Sequence, residues 1–160
     1  MPRSISLSLF IGFLFLTACS QNKPEQILQS LADQSSAKAY LNARTQNIEE
    51  WEKLLDKIET GIRAGDKQWL EVAIKLHQVS DASSSLALNY SLSRNLPYQT
   101  DLVLSALSHG FELNDICTIP FIETPDSIVD EFLKQSIDAL EKSKTPAAEP
   151  CKKLLLPWIT

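Results

Sequence analysis

Residues 47–64 carry an apolar stripe with helical spacing, and any fold for this chain has to bury it. Its members recur at intervals of three and four residues: Ile48, Trp51, Leu54, Leu55, Ile58 and Ile62. That spacing places them on one face of an amphipathic α-helix. Asn47 precedes the stripe as a candidate N-cap, and Gly65 follows it as a candidate C-terminal stop. A helix with this pattern needs neighbours that cover its apolar face.

Similar helical signals occupy most of the chain. We expect one helix to open at Pro24, a further turn near Tyr40, and a helix from Lys67 to about Gln78. The next helix should start at Ser80 or Asp81 and end at Leu96-Pro97, and a short one should start at Thr100 or Asp101 and stop at Gly110. The last two should start at Thr124-Pro125-Asp126 and at Thr145-Pro146, the latter delayed to Cys151 if Pro150 interferes. Residues 111–120 are predicted to be irregular, and no period-two strand pattern persists.

The predicted fold is therefore all-α, with six to eight short helices stacked as antiparallel pairs. Only four glycines occur, and leucine, alanine, glutamine, lysine and glutamate are common, which favours helix. Connections of two to six residues favour tightly packed consecutive helices. Because the sequence has no clean period, a helical-repeat array and an orthogonal bundle are both open.

The N-terminal segment has the pattern of a signal peptide. Arg3 is its single charge, and an apolar run follows from Ile5 to Leu16. This run is shorter than the roughly 20 residues that span a bilayer, but it fits the apolar region of a signal peptide. It ends in Leu16-Thr17-Ala18-Cys19. A transmembrane anchor, which the short length disfavours, and an ordinary secreted protein are the alternatives.

The sequence Leu16-Thr17-Ala18-Cys19 resembles the lipobox of bacterial lipoproteins. That resemblance implies cleavage between Ala18 and Cys19, with a diacylglyceryl group on the Cys19 thiol and an acylated new amine. Ser20 resembles the signal for transfer to the outer membrane, at its periplasmic face; in a Gram-positive cell the site would be the outer face of the plasma membrane. We then expect a cleaved peptide over 1–18, a lipidated tether over 19–24 and one helical periplasmic domain over 25–160.

Charge limits the classes of partner. The chain has a formal charge of −5, which becomes −6 when Arg3 is removed with the signal peptide. An acidic chain does not suit nucleic acid, and it does not draw the whole body onto anionic lipid. The expected partners are the membrane, through the lipid anchor, and another protein. No phosphate loop or dinucleotide motif occurs, so no cofactor is expected.

Two cysteines are left once Cys19 carries lipid. Cys117 and Cys151 form an even pair in an oxidising compartment, which predicts a disulfide. That bond would tie the irregular 111–122 segment to the C-terminal helix. Two buried free thiols and a metal site are the alternatives, although a metal would need further soft ligands nearby.

Candidates for catalysis are few. His77 and His109 lie near predicted helix ends, where the dipole favours a cation, and neither belongs to a spaced ligand motif. Ser83–Ser85 lack a Gly-x-Ser-x-Gly motif and suit the first turn of a helix. The carboxylates at 49–50 and 130–131 are adjacent, so each pair points to different sides of its helix. No catalytic residue is assigned.

The three tryptophans, Trp51, Trp69 and Trp158, lie on apolar stripes. Core packing is the expectation for each, with a place in a binding groove as the alternative.

The segment from Gly65 to Cys117 also resembles small uncharacterised proteobacterial helical proteins. The shared positions are Gly65, Trp69, Leu70, Ser80, Asp81, Ala82, Pro97, Val103 and Leu104. This resemblance implies no active residues.

Together these patterns predict a non-catalytic protein-interaction or envelope-assembly module anchored to the membrane. The narrower alternative is an immunity or inhibitor lipoprotein that acts against a toxin in the periplasm. The alternative from another class is an enzyme of the cell wall or of lipids, which would need a cleft with convergent titratable groups.

Overall fold

The computed structural model of the protein describes residues 23–159, and that part of the chain is helical without any strand. The helices are α1 (Pro24–Ser30), α2 (Gln34–Thr45), α3 (Ile48–Arg63), α4 (Lys67–His77), α5 (Ala82–Ser93), α6 (Leu96–Ser105), α7 (Leu113–Ile116), α8 (Asp126–Lys142) and α9 (Ala148–Leu155). Two 3₁₀ turns extend α6 and α9, over Ala106–His109 and Leu156–Trp158. The all-α prediction is confirmed.

The described residues hold nine helices, more than expected. One reason is that Gln34–Thr45 forms three turns where a single turn was predicted. The side chain of Asp33 accepts the backbone N–H of Ser36 and so caps this helix. A further helical turn, α7, lies inside the segment predicted to be irregular.

Local capping chemistry accounts for the starts of three central helices. Asn47 caps α3, Asp66 caps α4, and Asp81 caps α5 with a 2.8 Å bond from the backbone N–H of Ser84. Gly65 follows α3 at φ 81°, a left-handed conformation that suits glycine. These starts were predicted correctly because each depends on residues within one turn.

The predicted start at Thr124-Pro125-Asp126 is confirmed, because α8 begins at Asp126, but the expected caps at Thr124 and Thr100 are wrong. Thr124 does not cap α8: its hydroxyl donates to the carbonyl of Ile122, and Pro125 holds the N-cap position without a side-chain bond. The helix expected to end at Leu96-Pro97 ends three residues earlier, at Ser93, and Leu96 and Pro97 instead open α6. A kink at Gln99 (φ −137°, ψ 49°) lies inside α6. Thr100 does not cap a new helix there, because its hydroxyl donates to the carbonyl of Leu96 within α6.

The last helix begins between its two expected starts, Thr145-Pro146 and Cys151. It starts at Ala148, so Pro150 lies in its first turn. Backbone N–H groups in a first turn have no partner within the helix, and a proline there costs no internal bond.

The stripe of α3 forms the centre of the core. Leu54, Ile58 and Ile62 are buried, and α3 packs against α2, α4, α5 and α6. Ile48 is an exception to the predicted stripe, with 67 % of its surface exposed at the first turn. Because α1 also packs on α4 and α3 on α6, contacts reach beyond neighbouring helices, which favours a bundle over a one-dimensional array.

A close approach joins α3 to α4. At Gly61 of α3, an added Cβ would overlap Cγ and Cδ1 of the Trp69 indole. The missing side chain therefore lets the buried indole lie directly against the α3 backbone.

At the C-terminal side, α8 packs extensively on α6 and on α9. Cys117, just after α7, and Cys151 in α9 form a disulfide, with their Cα atoms 5.3 Å apart. The predicted cysteine pair is thus confirmed, and it holds the end of α7 against α9. This C-terminal layer forms one wall of the groove described below.

Candidate functional site

An open groove lies where α8 faces α3, α5 and the start of α6. We call it the aromatic groove, with a cavity volume of about 610 Å³. It is lined by Glu59, Arg63, Arg94, Pro97, Tyr98, Phe121, Ser127, Ile128, Glu131, Phe132 and Gln135. Its lining comes from three stretches that are distant in sequence, 59–63, 94–98 and 121–135, so tertiary packing creates it.

One wall carries two arginines around one carboxylate. Glu59 of α3 contacts Arg63 at 3.1 Å and Arg94, the residue after α5, at 3.3 Å. The Arg63 guanidinium also lies 4.6 Å from the ring centroid of Tyr98, a cation–π distance. Partly exposed ion pairs add little to stability. Their effect here is to orient two guanidinium groups and one ring, with a net charge of +1, toward the groove.

The facing wall combines apolar side chains with Ser127, Glu131 and Gln135 of α8. Phe132 of α8 is buried and meets Phe121 edge to face, with ring centroids 5.2 Å apart. Ile128, one turn earlier on α8, has 50 % of its surface exposed, and Tyr98 across the groove has 53 %. Ile122, beside Phe121, is 74 % exposed. These are large apolar surfaces left in contact with solvent.

The connection that carries Ile122 has an unusual backbone. Glu123 adopts φ 53°, the one positive φ at a residue other than glycine among residues 23–159. A left-handed conformation is uncommon for glutamate. The turn it makes leads the chain from Phe121 to the start of α8.

The chemistry of the aromatic groove favours binding. Exposed tyrosine and arginine beside apolar side chains are the residues that dominate binding energy at protein interfaces. Its carboxylates, Glu59 and Glu131, are each engaged, Glu59 with two arginines and Glu131 with the amide of Gln135 at 2.6 Å.

A second groove, with a cavity volume of about 810 Å³, runs between α4 and α6. Its floor includes Leu70 and Leu102, and its rim alternates in charge along α4 with Lys67, Glu71 and Lys75. Basic and acidic groups balance there. His109, one of the two histidines considered from the sequence, lies at its edge.

The structure brings together one pair that sequence spacing did not suggest. His77, the last residue of α4, has its Nε2 2.9 Å from the hydroxyl of Ser85 in the first turns of α5. The His77 ring stacks on Phe111 at 3.9 Å. Burial lowers the pKa of His77 below 6.5, and the charge of Asp115 opposes this in part. A neutral imidazole accepting from a serine hydroxyl is the first element of a nucleophile–base pair.

Asp115 is held by another residue. The side-chain amide of Asn89 donates to its carboxylate at 3.2 Å. His77 and Ser85 line neither of the two grooves above. In this geometry the pair joins the end of α4 to the start of α5.

The remaining predicted residues are the cleavage and lipidation sites and the three tryptophans. Ala18 and Cys19 lie outside residues 23–159, so the cleavage and lipidation sites stay predictions. Trp51 and Trp69 are buried as expected, but Trp158 is 60 % exposed, and its expected core position is wrong. It follows Pro157 in the 3₁₀ turn after α9, where the helical period no longer applies.

The described part of the chain offers neither a metal-binding cluster nor a helix suited to span a membrane. Residues 23–159 contain no cluster of three histidine, cysteine or acidic side chains positioned to hold a metal ion. Across the same residues, none of the helices combines the length and apolar character needed to cross a membrane.

Sequence reasoning missed the aromatic groove because its key contacts are long-range. Arg94 and Glu59 are 35 residues apart, and no spacing rule joins them. Comparison with known proteins adds no relative: no family model matches the chain, and neither do curated proteins or solved structures.

Proposed function

We propose that this protein is a membrane-anchored bacterial lipoprotein whose helical body binds another protein at the aromatic groove, without catalysing a reaction. The observation that carries the binding role is the groove itself, with Tyr98 and Ile128 exposed beside two oriented arginines. The support for the anchor is the sequence Leu16-Thr17-Ala18-Cys19. Attachment would be at the periplasmic face of the outer membrane, or at the outer face of a Gram-positive plasma membrane.

The groove indicates what its partner should present. Its apolar wall suits an apolar anchor side chain, which Phe132 and Ile128 would contact. Glu131 on the facing wall makes the formal charge of the whole groove zero, but the other wall has a local positive charge, because Arg63 and Arg94 share only Glu59. A carboxylate next to the apolar anchor would therefore complement the site. The partner is a protein segment that combines these two features.

Site-specific photocrosslinking tests the binding role. A photoreactive amino acid replaces Ile128 in the full chain, expressed in its native cells. The matched control places the same amino acid at Ile48, which is also exposed but lies at the start of α3, outside the groove. We expect a discrete protein adduct at position 128 and none at position 48.

Charge reversal then tests the chemistry of the partner. Arg94→Glu places a second carboxylate beside Glu59 and should remove most of the adduct at position 128. Lys53→Glu is the control, because Lys53 pairs with Glu49 on an exposed part of α3. Equal adducts at positions 128 and 48, or an adduct indifferent to Arg94→Glu, would contradict the proposal.

The pair of His77 and Ser85 supports one second candidate, an enzyme of the cell wall or of lipids that uses Ser85 as its nucleophile. A fluorophosphonate probe reports an activated serine directly. The leading proposal expects no labelling of the folded protein. Labelling at Ser85 that is lost in both Ser85→Ala and His77→Ala would support the enzyme instead.

A further inference from the structure

The C-terminal end of the described chain has an exposed apolar surface separate from the aromatic groove. Leu156, Trp158 and Ile159 are 45 %, 60 % and 50 % exposed, and we call them the C-terminal apolar cluster. The 3₁₀ turn that carries the first two follows α9 and packs beside α8. Three large apolar side chains on and just after one short turn form an exposed patch of the kind that marks an interaction site.

The charge around this cluster contrasts with the rest of the protein. Residues 141–159 contain four lysines and two glutamates, a formal charge of +2 in a chain of −5. The lysines are Lys142, Lys144, Lys152 and Lys153. They lie on adjoining elements, because Lys152 of α9 reaches Glu141 at the end of α8, 3.6 Å away.

Among the described residues, the ion pairs of this region involve only two of its four lysines. Lys152 and Lys153 contact Glu149 at 3.0 and 4.0 Å. Lys142 and Lys144 have no ion pair within residues 23–159. Lys152 and Lys153 lie in the last turn of α9, directly before the cluster. Lys142 follows Glu141, which Lys152 contacts, so the end of α8 with its unpaired lysine lies against α9.

Apolar side chains that include tryptophan, next to lysines, suit the interface of a membrane. Tryptophan prefers the headgroup level, and lysines near the surface are attracted to anionic lipid. We infer that the C-terminal apolar cluster and its flanking lysines contact the surface of an anionic phospholipid bilayer. Leu156, Trp158 and Ile159 enter the boundary between headgroups and acyl chains, and Lys142 and Lys144 face lipid phosphates.

The proposed anchor would make even a weak contact effective, and this one step rests on the proposed function. Three residues lie between Cys19 and Lys23, so the two Cα atoms are at most about 14 Å apart. A body tethered so closely meets the bilayer at a high effective concentration. The contact itself does not require lipidation, because the cluster and its lysines belong to the folded body.

Tryptophan quenching by brominated lipid tests this contact selectively. Trp51 and Trp69 are both buried, so Trp158 is the exposed tryptophan among the three in the chain. The full chain is incorporated into vesicles of phosphatidylcholine alone or of phosphatidylcholine with phosphatidylglycerol, each carrying bromine on the acyl chains. Vesicle flotation is measured in parallel, so that attachment of the protein is scored separately from contact by Trp158.

We expect quenching in vesicles that contain phosphatidylglycerol, and its loss in Trp158→Phe. Lys142→Glu with Lys144→Glu should reduce the quenching severalfold, and so should 1 M salt, which shortens the Debye length to about 3 Å. Ile48→Ala removes an equally exposed apolar side chain elsewhere and should change nothing. Far-UV circular dichroism confirms that each variant is folded.

Two results would overturn the inference. The first is protein that floats with phosphatidylglycerol vesicles while its fluorescence is not quenched, which would leave the anchor intact and remove the C-terminal contact. The second is a dimer in sedimentation that Trp158→Ala dissociates, since a second copy of the chain would then cover the cluster. Quenching in phosphatidylglycerol vesicles, without flotation on phosphatidylcholine alone, would instead support the contact and count against the anchor.

Discussion

Replacing Gly61 with alanine tests how the α3–α4 contact is made. In the middle of an exposed helix, alanine would stabilise by about 1 kcal/mol relative to glycine. Here the added Cβ would overlap Cγ and Cδ1 of Trp69 and lie 2.7 Å from its Nε1. The overlap involves the base of the ring, so the indole cannot escape by a small rotation. The buried Trp69 has to move as a whole or α4 has to shift.

The size of the effect follows from these two opposing contributions. Overpacking in a well-packed core costs roughly 1–3 kcal/mol, and an overlap this deep belongs at the upper end. After the gain in helix propensity, we expect Gly61→Ala to lower the free energy of unfolding by about 2 kcal/mol. In a domain of this size the melting temperature should fall by roughly 6–10 °C.

Urea denaturation followed by far-UV circular dichroism measures the change, with the disulfide kept oxidised. Thr60→Ala, on the exposed side of α3, is the control and should be neutral or slightly stabilising. In a Trp69→Leu background, Gly61→Ala should lose most of its penalty. A Gly61→Ala protein as stable as the parent, or one that is destabilised equally in both backgrounds, would refute the close-packing argument.

Three further predictions concern the disulfide and two titrating groups. Replacing Cys117 and Cys151 by alanine should lower the free energy of unfolding by about 3–4 kcal/mol, measured in urea, because the bond closes a loop with a sequence separation of 34. The cap bond from the backbone N–H of Ser84 lowers the pKa of Asp81 below 3.8. The contribution of Asp81 to the free energy of unfolding is therefore complete above that pH and is lost as pH falls through the folded pKa. Asp81→Asn should therefore keep the cap but reduce the acid sensitivity of unfolding. Burial lowers the pKa of His77, so its NMR titration midpoint should lie below 6.5, and His77→Gln should flatten the loss of stability as pH falls below 6.5.

Each of these has a contradicting outcome. Unchanged stability in the double-alanine variant would mean that the crosslink does not constrain the unfolded chain. If Asp81→Asn and the parent protein have the same acid unfolding profile, the carboxylate of Asp81 does not contribute to the acid sensitivity of unfolding. A His77 midpoint at or above 6.5 would show that the ring is better solvated than its stack on Phe111 implies.

The sequence predicted those parts of the fold that depend on nearby residues. The caps at Asn47, Asp66 and Asp81 involve bonds to N–H groups two or three residues away, so local chemistry decides them. Thr124 is also a residue type that commonly caps helices, but its hydroxyl donates to the carbonyl of Ile122 instead. A rule based on residue type cannot tell these two geometries apart.

The parts that failed depend on tertiary packing. Trp158 continues an apolar pattern in sequence, yet the 3₁₀ turn after Leu155 directs it into solvent. The aromatic groove forms only when α8 packs across α6 and brings Ile128 opposite Tyr98. No residue spacing in the sequence predicts the groove or the contact of His77 with Ser85.

Mass spectrometry of the protein from its native membrane, with a Cys19→Ser variant alongside, tests the anchor on which the proposed function depends. We predict an N-terminal peptide that begins at Cys19 and carries a diacylglyceryl group and an amide-linked acyl chain, together with incorporation of labelled palmitate. The Cys19→Ser protein should incorporate no label and should accumulate as the uncut precursor. A native N-terminus at any other residue, or labelled fatty acid in the Cys19→Ser variant, would contradict the account.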